Sequence, residues 1–272
     1  MRKAFWGLPV ALIVLWLLSG CTDTLHKQRA APLQGPAQTA FTINNNTALI
    51  QSLEINLTGK QSKDKVSLYA EQSTDGLPLA WYLVVNGLAK VKLTAEDLYS
   101  FAEVRFADLD GDGRAEALLF RQSSGSAGAR GLNIYQTAGQ HWQELFSVNQ
   151  DTVTNDKRYA VTYIGNYCVA FEDKETGLTG IIRLNESRYR GSEHMLPDIT
   201  AWIDPIIDYS LADYNQDGIK EIVTIQRVIG IAHADTIGLL KTTYQLKGNR
   251  YQAVTLTLCD SNDTPLAEVK LI

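Results

Sequence analysis

Residues 108–116 read Asp-Leu-Asp-Gly-Asp-Gly-Arg-Ala-Glu, and residues 213–221 read Asp-Tyr-Asn-Gln-Asp-Gly-Ile-Lys-Glu. A curled backbone turns the first, third and fifth side chains of such a stretch inward. Asp108, Asp110 and Asp112 form one inward set, and Asp213, Asn215 and Asp217 form the other. Glycine at the sixth position allows the sharp bend. The seventh residue, Arg114 or Ile219, offers its backbone carbonyl, and the ninth, Glu116 or Glu221, closes the shell. Hard oxygen donors in a flexible cage suit calcium, whereas magnesium demands a small octahedron. With no cation the carboxylates would repel one another at close range. The expected cofactor is therefore Ca2+, about two ions, the first loop being tighter because it carries more carboxylates. An EF-hand needs an acidic twelfth residue and flanking helices. Leu119 and Thr224 hold that place here, inside strand-like stretches, so an EF-hand is excluded.

The elements that must position these loops read as short strands. Alternation is visible at 102–106, 221–225 and 244–246, and turn signals recur at Asp75-Gly76, Asn86-Gly87, Ala138-Gly139 and Gly248-Asn249. Thr94 with Asp97 is a capping-box pattern that predicts one short helix through Tyr99. The chain also resembles itself. The loops are offset by 105 residues, and the hairpins at 134–143 and 243–252 are offset by 109. A decayed third copy at 56–64 aligns with 108–116 at an offset of 52, and Asn86-Gly87 falls on Ala138-Gly139 at the same offset. A fourth unit is expected near residue 160, where 158–184 reads as strands with no recognisable ligand loop.

Both loops, each set between strands in a repeat of about fifty residues, resemble the FG-GAP/VCBS calcium loops of integrin-type β-propellers. Together with the N-terminal pattern described below and the segment 226–238, they are similar to VCBS-repeat lipoproteins of Firmicutes-like bacteria. The resemblance implies ligands at Asp108, Asp110, Asp112, the Arg114 carbonyl and Glu116. In the second loop it implies Asp213, Asn215, Asp217, the Ile219 carbonyl and Glu221. Glutamate at the ninth position and Asn215 at the third are departures. In the decayed copy Lys60 takes the fifth position, where its ammonium would replace a cation. The expected fold is an all-β repeat protein, a small propeller of about four units or a propeller-like assembly of short antiparallel strands. An open two-sheet β fold is the alternative.

Arg2 and Lys3 precede an apolar run from Ala4 to Leu18, which ends in Leu18-Ser19-Gly20-Cys21. The run is short for a spanning helix and fits a secretory signal. The tetrapeptide resembles a bacterial lipobox. That implies cleavage after residue 20 and a diacylglyceryl thioether on Cys21, so the partner at this end is a membrane. Residues 21–40, rich in Gln, Ala, Thr and Pro, read as a tether, and 41–272 as the β-repeat domain. The expected location is the extracytoplasmic face of the cell membrane.

Lys+Arg number 25 against Asp+Glu 30, and removing Arg2 and Lys3 with the leader takes the formal net charge from −5 to −7. No basic excess exists to displace counterions from phosphate, so nucleic acid is excluded as a generic partner. Cys168 and Cys259 sit in strand-like stretches. Outside a reducing compartment they can form either a disulfide or two separate buried thiols.

No nucleophile elbow or phosphate-binding loop is present. His233 and Asp235 could form an acid/base pair, with Arg227 as an anion contact. The competing reading is that all three satisfy a long turn, and no catalytic residue is assigned. Trp81, Trp142 and Tyr251 fall near the hairpins and read as packing residues. The expected function is a surface module that binds a protein or glycan. An envelope-polymer hydrolase or lyase on the same scaffold, or a purely structural envelope component, are the alternatives.

Overall fold

The computed structural model describes residues 40–57, 62–95, 99–138, 141–148 and 158–271. The leader, Cys21, all of the tether but Ala40, residues 58–61 of the decayed loop including Lys60, Asp97 of the expected helix and the turn at 139–140 lie outside the described residues. Among the described residues no helix is long and apolar enough to cross a membrane.

The chain folds into four antiparallel meanders that follow one another in sequence. Sheet A holds β1 (Thr47–Ile55), β2 (Asp64–Gln72), β3 (Pro78–Val85) and β4 (Leu88–Thr94). Sheet B holds β5 (Phe101–Ala107), β6 (Glu116–Gln122), β7 (Arg130–Ala138) and β8 (His141–Ser147). Sheet C has three strands, β9 (Tyr159–Gly165), β10 (Cys168–Asp173) and β11 (Leu178–Arg183). Sheet D has five: β12 (Asp208–Ala212), β13 (Glu221–Ile229), β14 (Thr236–Lys247), β15 (Arg250–Asp260) and β16 (Pro265–Lys270). Two short 3-10 helices, Glu186–Arg188 and Glu193–Asp198, join sheets C and D. The Asn86-Gly87 turn predicted from sequence is present. Both residues take positive φ, 51° and 80°, which matches the twist of the strands that it joins.

Three apolar clusters decide how the sheets stack. Leu68, Trp81 and Leu83 of sheet A meet Val104, Leu119 and Tyr135 of sheet B. Leu118, Ile134 and Phe146 of sheet B meet Tyr209, Ile222 and Tyr251 of sheet D. Val169, Phe171 and Ile182 of sheet C meet Leu240, Leu256 and Leu258 of sheet D, with Tyr189 and Leu196 from the helical turns closing the edge. Strand β6 shows the consequence: Leu119 faces sheet A and Leu118 faces sheet D, so both of its faces are buried. That is why it reads as a continuous apolar run and does not alternate.

The all-β class expected from sequence is what the structure has. The closed propeller is not. A ring in chain order would set sheet B against sheet C and sheet D against sheet A. The clusters instead stack the sheets in the order A, B, D, C, and no closed barrel or propeller is formed among the described residues. Long strands β14 and β15 make this order possible, because they carry Tyr244 and Tyr251 into one cluster and Leu240 and Leu258 into another. Cys168 and Cys259 are separate thiols. Burial pushes the Cys259 thiol up to about 11.

Phe146 sits edge-on to Tyr209, Tyr244 and Tyr251, with ring centroids 6.3, 5.1 and 6.1 Å away. Phe146→Ala is expected to lower the unfolding free energy by about 3–5 kcal/mol, measured by urea denaturation followed by tryptophan fluorescence.

Candidate metal centre

Each acidic loop joins the first and second strands of its sheet: 108–116 bridges β5 to β6, and 213–221 bridges β12 to β13. The backbone curls in the same way in both. The Gly113 N–H donates to Asp108 Oδ2 at 3.0 Å, and the Gly218 N–H donates to Asp213 Oδ2 at 3.0 Å. The Arg114 and Ile219 N–H groups donate to Asp112 and Asp217, at 2.8 and 2.9 Å. The ninth residue closes each loop. Leu109 N–H donates to Glu116 Oε2 at 2.8 Å, and Tyr214 N–H donates to Glu221 Oε2 at 2.9 Å. Sheet A keeps this closing bond in its decayed copy, where Leu57 N–H donates to Asp64 Oδ2 at 3.1 Å. Asp64 also accepts the Asn86 side-chain amide at 2.8 Å. In sheet C the loop is replaced by the tight turn at Asn166 and Tyr167.

The two acidic loops differ in how the closing carboxylate is satisfied. In the first loop, ligand atoms of Asp108, Asp110 and Glu116 all lie within 4.8 Å of one another. Glu116 is fully buried, and its Oε1 has no hydrogen-bond partner among the described residues. A buried polar atom left in this way costs roughly 1–3 kcal/mol, more when charged. A divalent cation would satisfy Oε1, which is flanked by the hard anionic oxygens of Asp108 and Asp110. Those oxygens already accept the Gly111, Gly113 and Asp112 N–H groups and the Gln136 amide. Asp112 is exposed and stands outside the close group, and Arg114 is exposed as well.

In the second loop the side-chain amide of Asn215 donates to Glu221 Oε1 at 2.6 Å and to Asp217 Oδ2 at 3.0 Å. Gln245 of β14 also reaches Glu221 Oε1, at 3.4 Å. Here amide hydrogens stand where a cation's charge would act. Calcium would require the Asn215 carbonyl oxygen, not its amide, to face inward.

Reading the nonapeptides alone missed several supporting residues. Gln136 of β7 donates to Asp110 Oδ2 at 2.6 Å. Its counterpart is Gln245, and the signal was the Tyr-Gln pair shared by the two hairpins, Tyr135-Gln136 and Tyr244-Gln245. Tyr251 is buried beside both loops. Burial, then the charges of Glu116, Asp110 and Glu221, hold its phenol well above the usual range.

The possible pairing of His233 with Asp235 is not formed, and the alternative, that these residues satisfy their turn, holds for Asp235. His233 Nε2 lies 3.2 Å from Asp204 Oδ1 and 3.4 Å from Arg227 Nη2, and the ring stacks on Trp202 with centroids 5.3 Å apart. Arg227 is bound to the same buried Asp204, its Nε 2.7 Å from Oδ2. Asp235 instead closes its own turn, accepting from the Ile231 N–H at 3.1 Å, Arg188 at 3.0 Å and the Tyr189 hydroxyl at 2.9 Å. A buried carboxylate takes the nearest charged donors, and Asp204, not Asp235, is the one beside His233 and Arg227. Trp81 is buried and Trp142 is half-buried against the cluster between sheets A and B, so both are packing residues.

A family model described as the YybI C-terminal domain matches residues 157–259, which span sheet C and most of sheet D. The uncharacterized protein YybI of Bacillus subtilis (strain 168) is 24% identical over 155 residues, 53% of this chain. The match spans 57% of that protein's length. No solved structure matches. These findings overturn the FG-GAP/VCBS resemblance: the family that matches is a different one, and no FG-GAP/VCBS repeat is found. The resemblance rested on two nine-residue loops, and the sheets around them stack in an order that the propeller family does not share.

Burial, opposed by the Leu109 N–H and reinforced by Asp110, Asp112 and Asp108, pushes the Glu116 carboxyl up to about 7. The metal-free fold therefore binds this proton more tightly than the unfolded chain does. The associated stability is fully present below the ordinary carboxylate range and is lost as pH rises through about 7. In chelator, melting temperature should fall more between pH 5 and pH 8 for the wild type than for Glu116→Gln, which does not titrate.

Proposed function

We propose that this chain is a calcium-binding, lipid-anchored module on the extracytoplasmic face of a bacterial membrane, holding a protein or glycan partner. The observation that carries the cation reading is the buried, unpartnered Glu116 Oε1 set among Asp108 and Asp110. The first loop is the tighter site, and the second is weaker because Asn215 must turn before it can coordinate. The ions act structurally, pinning each loop between the first two strands of its sheet. The bond from the second residue to the ninth, repeated in sheets A, B and D, supports reading these sheets as diverged copies of one unit. On that reading they form a propeller-like but open assembly. Support for the anchor comes from Arg2, Lys3, the apolar run and Cys21.

Calorimetric titration of calcium into the chelator-stripped protein should give about two sites of unequal strength. Asp110→Asn should abolish the tighter one and lower the melting temperature in calcium but not in chelator. An equal loss of stability in both buffers would overturn the site. Cys21→Ser should move the protein from the membrane fraction to the soluble fraction, read by fractionation and by loss of labelled palmitate.

A further inference from the structure

We infer that one corner of sheet A rests on the lipid bilayer and orients the protein there. The inference rests on the lipid-anchor reading above and adds which part of the domain meets the membrane. Ile43, Leu49, Ile50, Leu77 and Leu79 are 46–63% exposed. Strand pairing gathers them at one end of the sheet. Leu77 closes the β2–β3 turn, its carbonyl accepting the Ser73 N–H at 2.8 Å, and Leu79 is the second residue of β3. Leu49 stands opposite Tyr69, near the end of β2, so it lies two strands, about 10 Å, across from β3. The Asn46 carbonyl accepts the Gln72 N–H at 2.8 Å, which brings Ile43 and the lead-in to β1 to the same end. A bulge accounts for Leu49 and Ile50. Pairing skips from Leu49 to Gln51, and both neighbouring side chains stay outside on this edge strand.

The chain that follows Cys21 joins the domain on this same sheet. The Phe41 N–H donates to the Gly87 carbonyl at 3.0 Å. Its ring lies on Tyr69 and Tyr82, with centroids 4.9 and 5.1 Å away. Those tyrosines alternate with Leu68, Trp81 and Leu83, so Phe41 covers the face of sheet A turned away from sheet B. Gly87 and Leu79 stand at opposite ends of β3, about 25 Å apart. From Cys21 to Ala40 the chain can span at most about 65 Å. A lipid on Cys21 therefore reaches the bilayer on which the apolar corner rests. Acyl chains hold the protein at that bilayer but leave its tilt free, and the corner fixes the tilt.

Residue type favours lipid over protein as the occupant. Contiguous exposed apolar groups mark a surface that something covers. All five residues are aliphatic. Protein interfaces are anchored by Tyr, Trp and Arg, with Leu under-represented among the residues that carry the binding energy. A bilayer takes any aliphatic side chain and demands no matching shape, so binding follows the apolar area buried. Asp75 in the turn and the Glu71–Lys92 pair, 3.8 Å apart, flank the corner and supply no basic excess. The contact therefore relies on apolar burial and not on anionic headgroups.

The test uses the full chain as processed by a bacterial host, reconstituted in phosphatidylcholine vesicles with brominated acyl chains, which quench indole fluorescence on contact. Leu77→Trp and Leu49→Trp each place an indole at the corner, and the fluorescence that each adds to wild type should fall about threefold in these vesicles. Ile181→Trp places one on an exposed position of sheet C, at the other end of the stack, and its added fluorescence should be unchanged. Melting temperature reports whether each variant folds, and either corner variant suffices. Labelled palmitate on the wild type, with both corner indoles unquenched, would overturn the docking and leave the anchor standing. Equal quenching at positions 77 and 181 would overturn the orientation. A corner indole shielded in native membranes but not in pure lipid would mean a protein partner and would sink the lipid contact. No palmitate, with the protein in the soluble fraction, would overturn the anchor and the docking together.

Discussion

A backbone N–H at the second position of each strand-joining loop donates to a buried carboxylate at the ninth, and this bond fixes how sheets A, B and D begin. The carboxylate is the first residue of the second strand in every case, Asp64, Glu116 or Glu221. It must therefore enter the interior with the strand. Burying a charge is costly unless it is paired, and each sheet meets the cost differently. Sheet A supplies the Asn86 amide, and sheet D supplies the amides of Asn215 and Gln245. Sheet B leaves one oxygen of Glu116 without a donor and surrounds it with aspartates.

That difference follows from residue type at the third position. Asp110 and Asn215 are equivalent in the curl, and each accepts the N–H two residues on, from Asp112 at 3.1 Å and Asp217 at 2.9 Å. An asparagine has a second atom with hydrogens to offer, and it turns them on Glu221. An aspartate has only another oxygen, and Asp110 turns it to Gln136. One atom in the side chain separates a loop that satisfies its closing carboxylate from a loop that leaves one oxygen of it without a donor.

The β class, the hairpins and the three related loops were legible because they rest on local rules: alternation, turn residues and spacing. The carboxylate group at Asp108, Asp110 and Glu116 was legible for the same reason, being confined to nine residues. What could not be read was the stacking order of the sheets, since Leu118 and Leu119 are alike in composition and only the fold sends one to sheet D and the other to sheet A. The partner of His233 could not be read for a related reason: Asp235 is two residues away but is taken up by its own turn, Arg188 and Tyr189, and Asp204 arrives from a distant segment.

The contact between loops belongs to the same class of long-range fact. Lys220 is an unremarked residue in sequence, an eighth position between two expected ligands. Its bonds to the first loop appear once sheets B and D stack and bring residue 220 to residues 108 and 109. A ring in chain order would have set sheet C between them and separated the two loops. The order A, B, D, C is therefore what places two acidic hooks back to back, and the cluster of Leu118, Phe146, Ile222 and Tyr251 that sets this order is the apolar floor beneath them. Packing of carbon against carbon in that floor decides that the two loops lie in contact and not apart.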